Sequence, residues 1–440
     1  MLQRRSDEAS YDVIVVGARC AGSPLAMMLA RRGVRVCLVD RADFPSDTPS
    51  THGILPHGVK VLERLGLRER IEEVAPPVDR AYLGFDNVTI DFDGASRISG
   101  APTFNVRRIT LDAILLEAAR AAGAEARLKT PVTGLLRSGD RVVGVETPAG
   151  ELRAPLVVGA DGARSTVARL VGAVEYHRTA PERIFLWSYF EGVEEDVPRI
   201  WLGNIDGNSY LASASDNGLF LAAVVVPIRH RDQLRVDRTG GCEAGLRRWP
   251  ELARKLDGAR RVGPARMMSR WHGFFRQSAG PGWALVGDAG HFKDPTPGQG
   301  ISDALRQAET MAAAIARALE SGADPEAPLR EWWKWRDRDC WEMYWFAREM
   351  GESDRRPLLS AAFQNRFAED PELVEAFFRV LGRQASPAKV FGPAFGFPLL
   401  GRALRDSPGK RLALLEEARG ILAEQGRRQL LDVTDYRRPY

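Results

Sequence analysis

The hydrophobic pattern opens with Tyr11 to Gly17, where Val13, Ile14, Val15 and Val16 follow one another without a polar break. A continuous apolar run closed by glycine predicts a strand buried on both faces, as in a parallel sheet. From Ser23 to Arg32 the period changes. Leu25, Met28 and Leu29 recur at helical spacing, and Gly33 closes the helix. Val34 to Val39 is β-rich again and ends at Asp40. This stretch predicts one βαβ unit.

The rest of the chain alternates in the same way. Val59 to Ala75 predicts a helix, Ala81 to Arg97 hairpin strands, and Leu111 to Ala122 a helix. Pro131 to Val145 and Glu151 to Val158 predict strands, and Val167 to Val171 starts a short helix. Arg183 to Val226 is strand-rich, with turn signals at Asn204-Ile205-Asp206-Gly207 and Asp216-Asn217-Gly218. Gln233 to Leu256 reads as helical. Trp283 to Val286 is a short strand, followed by a loop and a long helix from Ile301 to Glu320. After Asp324 the strand signals stop. Arg, Trp, Phe and Leu at helical spacing take over, broken by Pro357, Pro371, Pro387, Pro393 and Pro398. A helical C-terminal region is expected.

Composition narrows the classes. The 440 residues suit two to three domains of ~150 residues. With 44% hydrophobic and 27% charged residues, the chain is neither disordered nor fibrous. A net charge of +4 gives no reason to invoke nucleic acid or an anionic membrane. Cys20, Cys37, Cys242 and Cys340 are scattered. They show no metal-ligand spacing and suit a reduced, cytoplasmic chain. Met1 to Ser10 is charged and has no apolar stretch of a secretory signal. No apolar run reaches the ~18 residues that a membrane span needs.

The candidate chemistry starts at Gly17-Ala18-Arg19-Cys20-Ala21-Gly22. A strand turning sharply into a helix aims unpaired amides and the positive helix end at a pyrophosphate. Gly17 and Gly22 match the first and third glycines of G-x-G-x-x-G, while Arg19 replaces the second. Asp40 ends the next strand, where an acid suits ribose hydroxyls. Val157 to Leu170 (VVGADGARSTVARL) is a second strand-turn-helix, with Asp161 able to cap and Gly162 able to take positive φ. Alone it reads as a structural turn. Trp283 to Ser302 (WALVGDAGHFKDPTPGQGIS) is a third. Its Asp288 suits a sugar or ribityl hydroxyl. Its Pro- and Gly-rich loop delivers the N-terminus of the Ile301 helix to a ligand.

Taken in order, the three motifs resemble the FAD-dependent monooxygenases of the para-hydroxybenzoate hydroxylase type, within the wider glutathione-reductase-like FAD class. The resemblance covers about residues 11–320. It implies that Gly17, Ala18, Cys20, Ala21 and Gly22, with Asp40 and the adjoining Arg41, contact the ADP half of FAD. It implies that Asp161 and Gly162 touch the pyrophosphate, a motif linked to NAD(P)H use. Asp288 would take the ribityl region. Pro295, Gly298, Gly300 and Ile301 would face the pyrimidine edge of the flavin. Arg108-Ile109-Thr110-Leu111 matches a recurring Arg-x-x-Leu near the flavin. The implied reaction is NAD(P)H-driven oxygenation of an aromatic or polycyclic small molecule through a flavin hydroperoxide.

Alternatives share the motifs. Reductases of the geranylgeranyl-reductase type, which saturate isoprenoid double bonds, are the runner-up, because Asp294-Pro295 and Phe44-Pro45 sit close to that branch. Flavin halogenases rank lower. Their W-x-W-x-I-P motif is absent, and no lysine occurs between Lys60 and Lys129. A carrier that kept the fold and lost the flavin ranks last.

The expected fold is α/β: a Rossmann-like FAD-binding domain from 11–80, 106–175 and 271–325, an inserted, mainly antiparallel β-sheet substrate domain from 81–105 and 176–270, and a helical region from 326–440. His52 is the candidate proton relay, with a solvated or backbone-bonded loop histidine as the plainer reading. His291 is expected to be structural, and Lys293 to face either flavin or solvent. Trp187, Tyr189, Trp201 and Tyr210 are candidate substrate contacts. Trp333, Cys340, Trp341, Tyr344 and Trp345 share one helix face, which reads as a packing seam or as a pocket wall. No metal site is expected, and the oligomeric state is open.

Overall fold

A computed structural model describes residues 11–431 and 433, except 51, 87 and 353–355. The charged Met1–Ser10 segment and the last part of the 326–440 region therefore lie outside the described residues. The fold is α/β. The apolar strand Val13–Val16 is buried at every position and sits mid-sheet. It pairs in parallel with Val36–Val39 on one side and Leu156–Gly159 on the other. Glu125–Arg127 and Trp283–Leu285 extend the parallel order, and Ala279–Gly280 adds one antiparallel edge. The helices Gly22–Ala30, Arg108–Ala121 and Gly300–Glu320 pack on this sheet. Strands far apart in sequence thus bring all three glycine-bearing turns to the carboxyl ends of neighbouring strands, where open α/β sheets bind ligands.

The second large sheet has seven strands. Arg260–Met268, Arg183–Glu191, Phe220–Pro227, Asn208–Ala214 and Arg199–Ile205 run antiparallel. Arg80–Phe85 joins in parallel, with Thr89–Phe92 at the edge. The Asp206-Gly207 turn takes positive φ at both residues, as the tight hairpin requires. A separate three-stranded sheet of Glu175–Thr179, Gly273–Arg276 and His291–Phe292 links the two. Among the described residues, the chain from Glu326 onward carries helices and no strand.

Several boundaries move. The helix expected from Val59 to Ala75 is two, Pro56–Arg64 and Arg68–Glu72, because Gly66 at φ 72° ends the first. Arg97 belongs to a short helix, Ala95–Ser99, rather than to the hairpin. Gln233 to Leu256 holds parts of three helices: Arg231–Val236, Arg238–Leu246 and Pro250–Lys255. Asp237 caps the second and Pro250 starts the third. Among the described residues, no helix is long and apolar enough to cross a membrane. No cluster of metal-ligating side chains is present among them either.

One packing arrangement fixes how the three short helices sit on the seven-stranded sheet. Gly84 and Gly203 are register partners in adjacent strands. A Cβ at either would lie 2.4 or 2.9 Å from the Trp249 ring. The two glycines form a slot, and the indole is fully buried in it. Trp249→Ala empties that slot and is expected to cost ~3–5 kcal/mol of unfolding free energy, read by urea denaturation.

Candidate functional site

The first turn is tight. Gly17 has φ 105°, and a Cβ on it would meet the Ala160 carbonyl oxygen at 2.5 Å. A Cβ on Gly22 would stand 1.8 Å from the Gly17 carbonyl oxygen. Both positions exclude any side chain. The Ala18 amide donates to Asp40 at 2.7 Å, and the Ala42 amide donates to its other oxygen at 2.8 Å. Asp40 is buried and so ties the turn to the end of the second strand, while Arg41 is exposed.

Arg19, the residue that breaks the glycine pattern, is drawn inward. Its guanidinium pairs with Asp112 at 2.6 Å and donates to the Ser46 carbonyl and hydroxyl. Arg108 pairs with the same carboxylate at 2.9 Å, and Cys20 donates its thiol to it. Burial disfavours the charge on Arg108, but Asp112, Cys20 and Asp288 hold its pKa above the ordinary arginine value. The Cys20 thiol is pushed far up by burial and stays protonated.

The second turn caps a helix. Asp161 accepts from Ser165 Oγ at 2.5 Å and from the Thr166 amide at 2.6 Å, at the start of Thr166–Val171. Gly162 has φ 80°, with open space where a Cβ would project. The third turn abuts the first: a Cβ on Gly287 would lie 2.9 Å from the Ala21 Cβ. Asp288 receives no hydrogen bond among the described residues. Burial pushes its carboxyl up to about 6, against the pull of Arg108. A Cβ added at Gly298 or Gly300 would meet no atom within 4 Å, so open ground lies above the loop. Pro295 lines that ground, and Ile301 is buried in the first turn of Gly300–Glu320.

Beneath the loop lies a charge cluster. Lys293 pairs with Asp303 and donates to Gln299 at 2.8 Å. Asp303 also receives Arg383 at 2.9 Å. Lys293 is therefore buried in this cluster rather than facing solvent, and burial lowers its pKa. His291 is packed between Phe275 and Tyr344, a structural place.

His52 lies in the left-handed region at φ 62° and is fully buried. Its Nε2 hydrogen-bonds the Tyr189 hydroxyl, and its Nδ1 has no partner. Burial, helped by Arg108, lowers its pKa to about 3. It is therefore neutral near neutral pH and buried, so the solvated-loop reading does not hold.

A cavity of about 450 Å³ reaches from the Pro295–Gly298 loop along the seven-stranded sheet. Phe185, Trp187, Leu211, Leu221, Ala223 and Val225 form its sheet wall. Phe363, Phe367, Phe377, Phe391 and Phe395 face them from the C-terminal helices. Strand alternation sends Trp201 and Tyr210 to the opposite face. There both rings pack on Trp249, and the Tyr210 hydroxyl donates to the Gly245 carbonyl at 3.1 Å. Their rings pack in the core on that face, although Tyr210 is also among the residues lining the cavity, whereas Trp187 and Tyr189 stay on the cavity side. The aromatic helix Glu326–Gly351 is a packing seam at Trp333, Tyr344 and Trp345. Trp333 donates to Tyr176 and Tyr344 to the His177 carbonyl, while Arg428 stacks on Trp345.

Comparison with known proteins decides the class. The profile of the family described as FAD binding domain matches residues 10–330. The chain belongs to this family. It is similar to a menaquinone reductase of Mycobacterium tuberculosis, 30% identical over 68% of this chain and 75% of the relative. It is also similar to a rifampicin monooxygenase of Streptomyces venezuelae, 28% identical over 94% of this chain and 87% of the relative. A solved flavoprotein/dehydrogenase from Cytophaga hutchinsonii shares the fold, with TM-score 0.72 and 19% identity over 91% of this chain and 100% of that one. The protein is an FAD-dependent oxidoreductase of the monooxygenase family.

The residues present fit FAD. The side-chain-free first turn, the Asp288 carboxylate without a hydrogen bond among the described residues, and the open ground at Gly298 and Gly300 are the features that suit it. Sequence reading missed the Asp112 pairing with Arg19, and it missed the Phe wall. The i, i+4 spacings of Phe363 with Phe367 and of Phe391 with Phe395 carried the signal for that wall.

Asp288 gives a pH test on the apoprotein. Its folded pKa of about 6 exceeds its ordinary 3.8. Its contribution to stability is therefore present at low pH and lost as pH rises through about 6. Asp288→Asn removes this loss. The variant is expected to gain stability over wild type progressively between those pH values, in parallel thermal melts, and to bind FAD more weakly.

Proposed function

We propose that this protein is a cytoplasmic, NAD(P)H-using FAD monooxygenase that oxygenates a large aromatic or polycyclic small molecule. The observation that carries the reading is the aromatic cavity that begins at the Pro295–Gly298 loop. That loop precedes the Gly300–Glu320 helix, whose positive end stabilises negative charge on a bound ring system. When bound, FAD supplies the electron transfer and the oxygen chemistry. The chain supplies position and dryness.

In this reading Gly17, Ala18, Cys20, Ala21, Gly22 and Asp40 hold the ADP half. Asp161 and Gly162 lie by the pyrophosphate, and Asp288 accepts a ribityl hydroxyl. Arg108 balances the Asp288 charge from below. The strands and helices of the six-stranded sheet form the cofactor domain, and the seven-stranded sheet forms the substrate domain. The cavity wall of Phe185 and Trp187 excludes water from the reacting edge. Tyr189 remains protonated, its pKa pushed to about 12 by burial. With neutral His52 it orients a substrate hydroxyl by hydrogen bonding, because His52 is too weak a base to remove its proton.

A second reading, reduction of an isoprenoid double bond, is favoured by the likeness to a menaquinone reductase. Mass analysis after turnover separates the two. Purified holoenzyme is supplied with NADH or NADPH, isotopically labelled dioxygen, and a panel of polycyclic phenols and of naphthoquinones that carry an isoprenoid side chain. A product heavier by one labelled oxygen atom supports oxygenation. A product heavier by two hydrogens within its isoprenoid chain, formed without label, supports reduction and overturns the first reading. Trp187→Ala strips part of the cavity wall. It is expected to raise KM about tenfold, ~1.4 kcal/mol, with a smaller change in kcat.

A further inference from the structure

The last two long helices carry most of the exposed apolar surface. Of the eight large hydrophobic residues exposed among the described residues, five lie here: Phe397, Leu412, Leu415, Leu422 and Leu430. Leu412, Leu415 and Leu422 of the Arg411–Gln429 helix, with Leu430 at its C-terminal cap, fall within an arc of about 80° that Arg419 shares. Apolar exposure scattered singly needs no explanation, but a stripe does. Phe397 and Leu422 are exposed and also line the cavity. The stripe is therefore continuous with the cavity mouth.

The charge around the stripe is one-sided. Arg405, Lys410, Arg411, Arg419 and Arg427 are exposed and form no ion pair among the described residues. Among the acids of the same helices, Glu424 is paired and Asp406 faces Arg402. Glu417 accepts the Leu358 and Leu359 amides, which leaves Glu416. The chain-wide net charge of +4 hides this local excess.

We infer that the helices Pro393–Asp406 and Arg411–Gln429 dock on an anionic lipid surface, and that a membrane-dissolved lipophilic substrate enters the cavity between them. The inference deepens the proposed function and rests on its cavity for the entry route. Exposed leucines interspersed with these basic residues suit the headgroup layer of an anionic bilayer, which attracts basic side chains near its surface. No described helix is long and apolar enough to span the bilayer, which leaves attachment from one side. A lipophile concentrated in the bilayer then meets an aromatic channel without crossing water.

Sedimentation with vesicles tests this on the FAD-loaded full chain, and it needs no catalysis. Vesicles of phosphatidylglycerol mixed with phosphatidylcholine are compared with phosphatidylcholine alone. The expected result is pelleting with the anionic vesicles, weakened by added salt. Leu412→Ser/Leu415→Ser/Leu430→Ser alters exposed residues outside the cavity lining. It is expected to weaken that binding about tenfold or more while leaving flavin content and turnover of a water-soluble substrate unchanged. Absence of pelleting, or equal binding to neutral vesicles, overturns the inference. A dimer seen by light scattering and abolished by the same variant, without vesicle binding, overturns it in favour of a second copy of this chain. Vesicle binding with no oxygenated product fails the function reading and leaves the docking intact.

Discussion

The arrangement of the site depends on one buried carboxylate, Asp303. It sits in the first turn of the Gly300–Glu320 helix and gathers Lys293, Arg383 and His57 around it. Burial alone would raise its pKa. Arg383 and Lys293 reverse that and hold it well below the carboxylate range. Each partner comes from a different place: Lys293 from the segment after His291–Phe292, His57 from the first turn of the Pro56–Arg64 helix, and Arg383 from just beyond the Pro371–Leu381 helix. Gln299 adds a bond to the Leu381 carbonyl at 2.9 Å. The N-terminal end of the Gly300–Glu320 helix and the helices that roof the cavity are thus clamped together. Removing one member of such a buried group strands the others without compensation.

A second buried carboxylate, Asp112, does the same for the first turn, where it gathers Arg19, Arg108 and Cys20. It explains why the glycine pattern tolerates Arg19. The guanidinium does not compete for the phosphate position, because Asp112 and Ser46 hold it. The departure from the expected pattern is a structural cross-link between the first turn and the Arg108–Ala121 helix.

The parallel sheet was legible because its strands are continuously apolar and its turns use residues with a narrow physical purpose. Gly17 and Gly22 leave no room for a side chain, and Asp40 must reach a backbone amide. The cavity was less legible. Its wall alternates along strands, so Trp187 and Trp201 look alike in sequence yet face opposite sides of one sheet. The slot for Trp249 depends on the pairing of Gly84 with Gly203, which no local pattern reveals. His52 read as a polar loop residue, and its burial comes from Tyr189, far along the chain. The kinship with both a reductase and a monooxygenase follows from the same division.

In the proposed arrangement the first turn and Asp40 hold the ADP half of the cofactor, and so place the rest beside the cavity. Titration of the apoprotein with FAD and, separately, with FMN tests it most directly, because FMN lacks that half. One FAD is predicted to bind per chain, with FMN binding at least about a hundredfold weaker, a difference of ~2.7 kcal/mol. Equal affinity for the two flavins would contradict the arrangement.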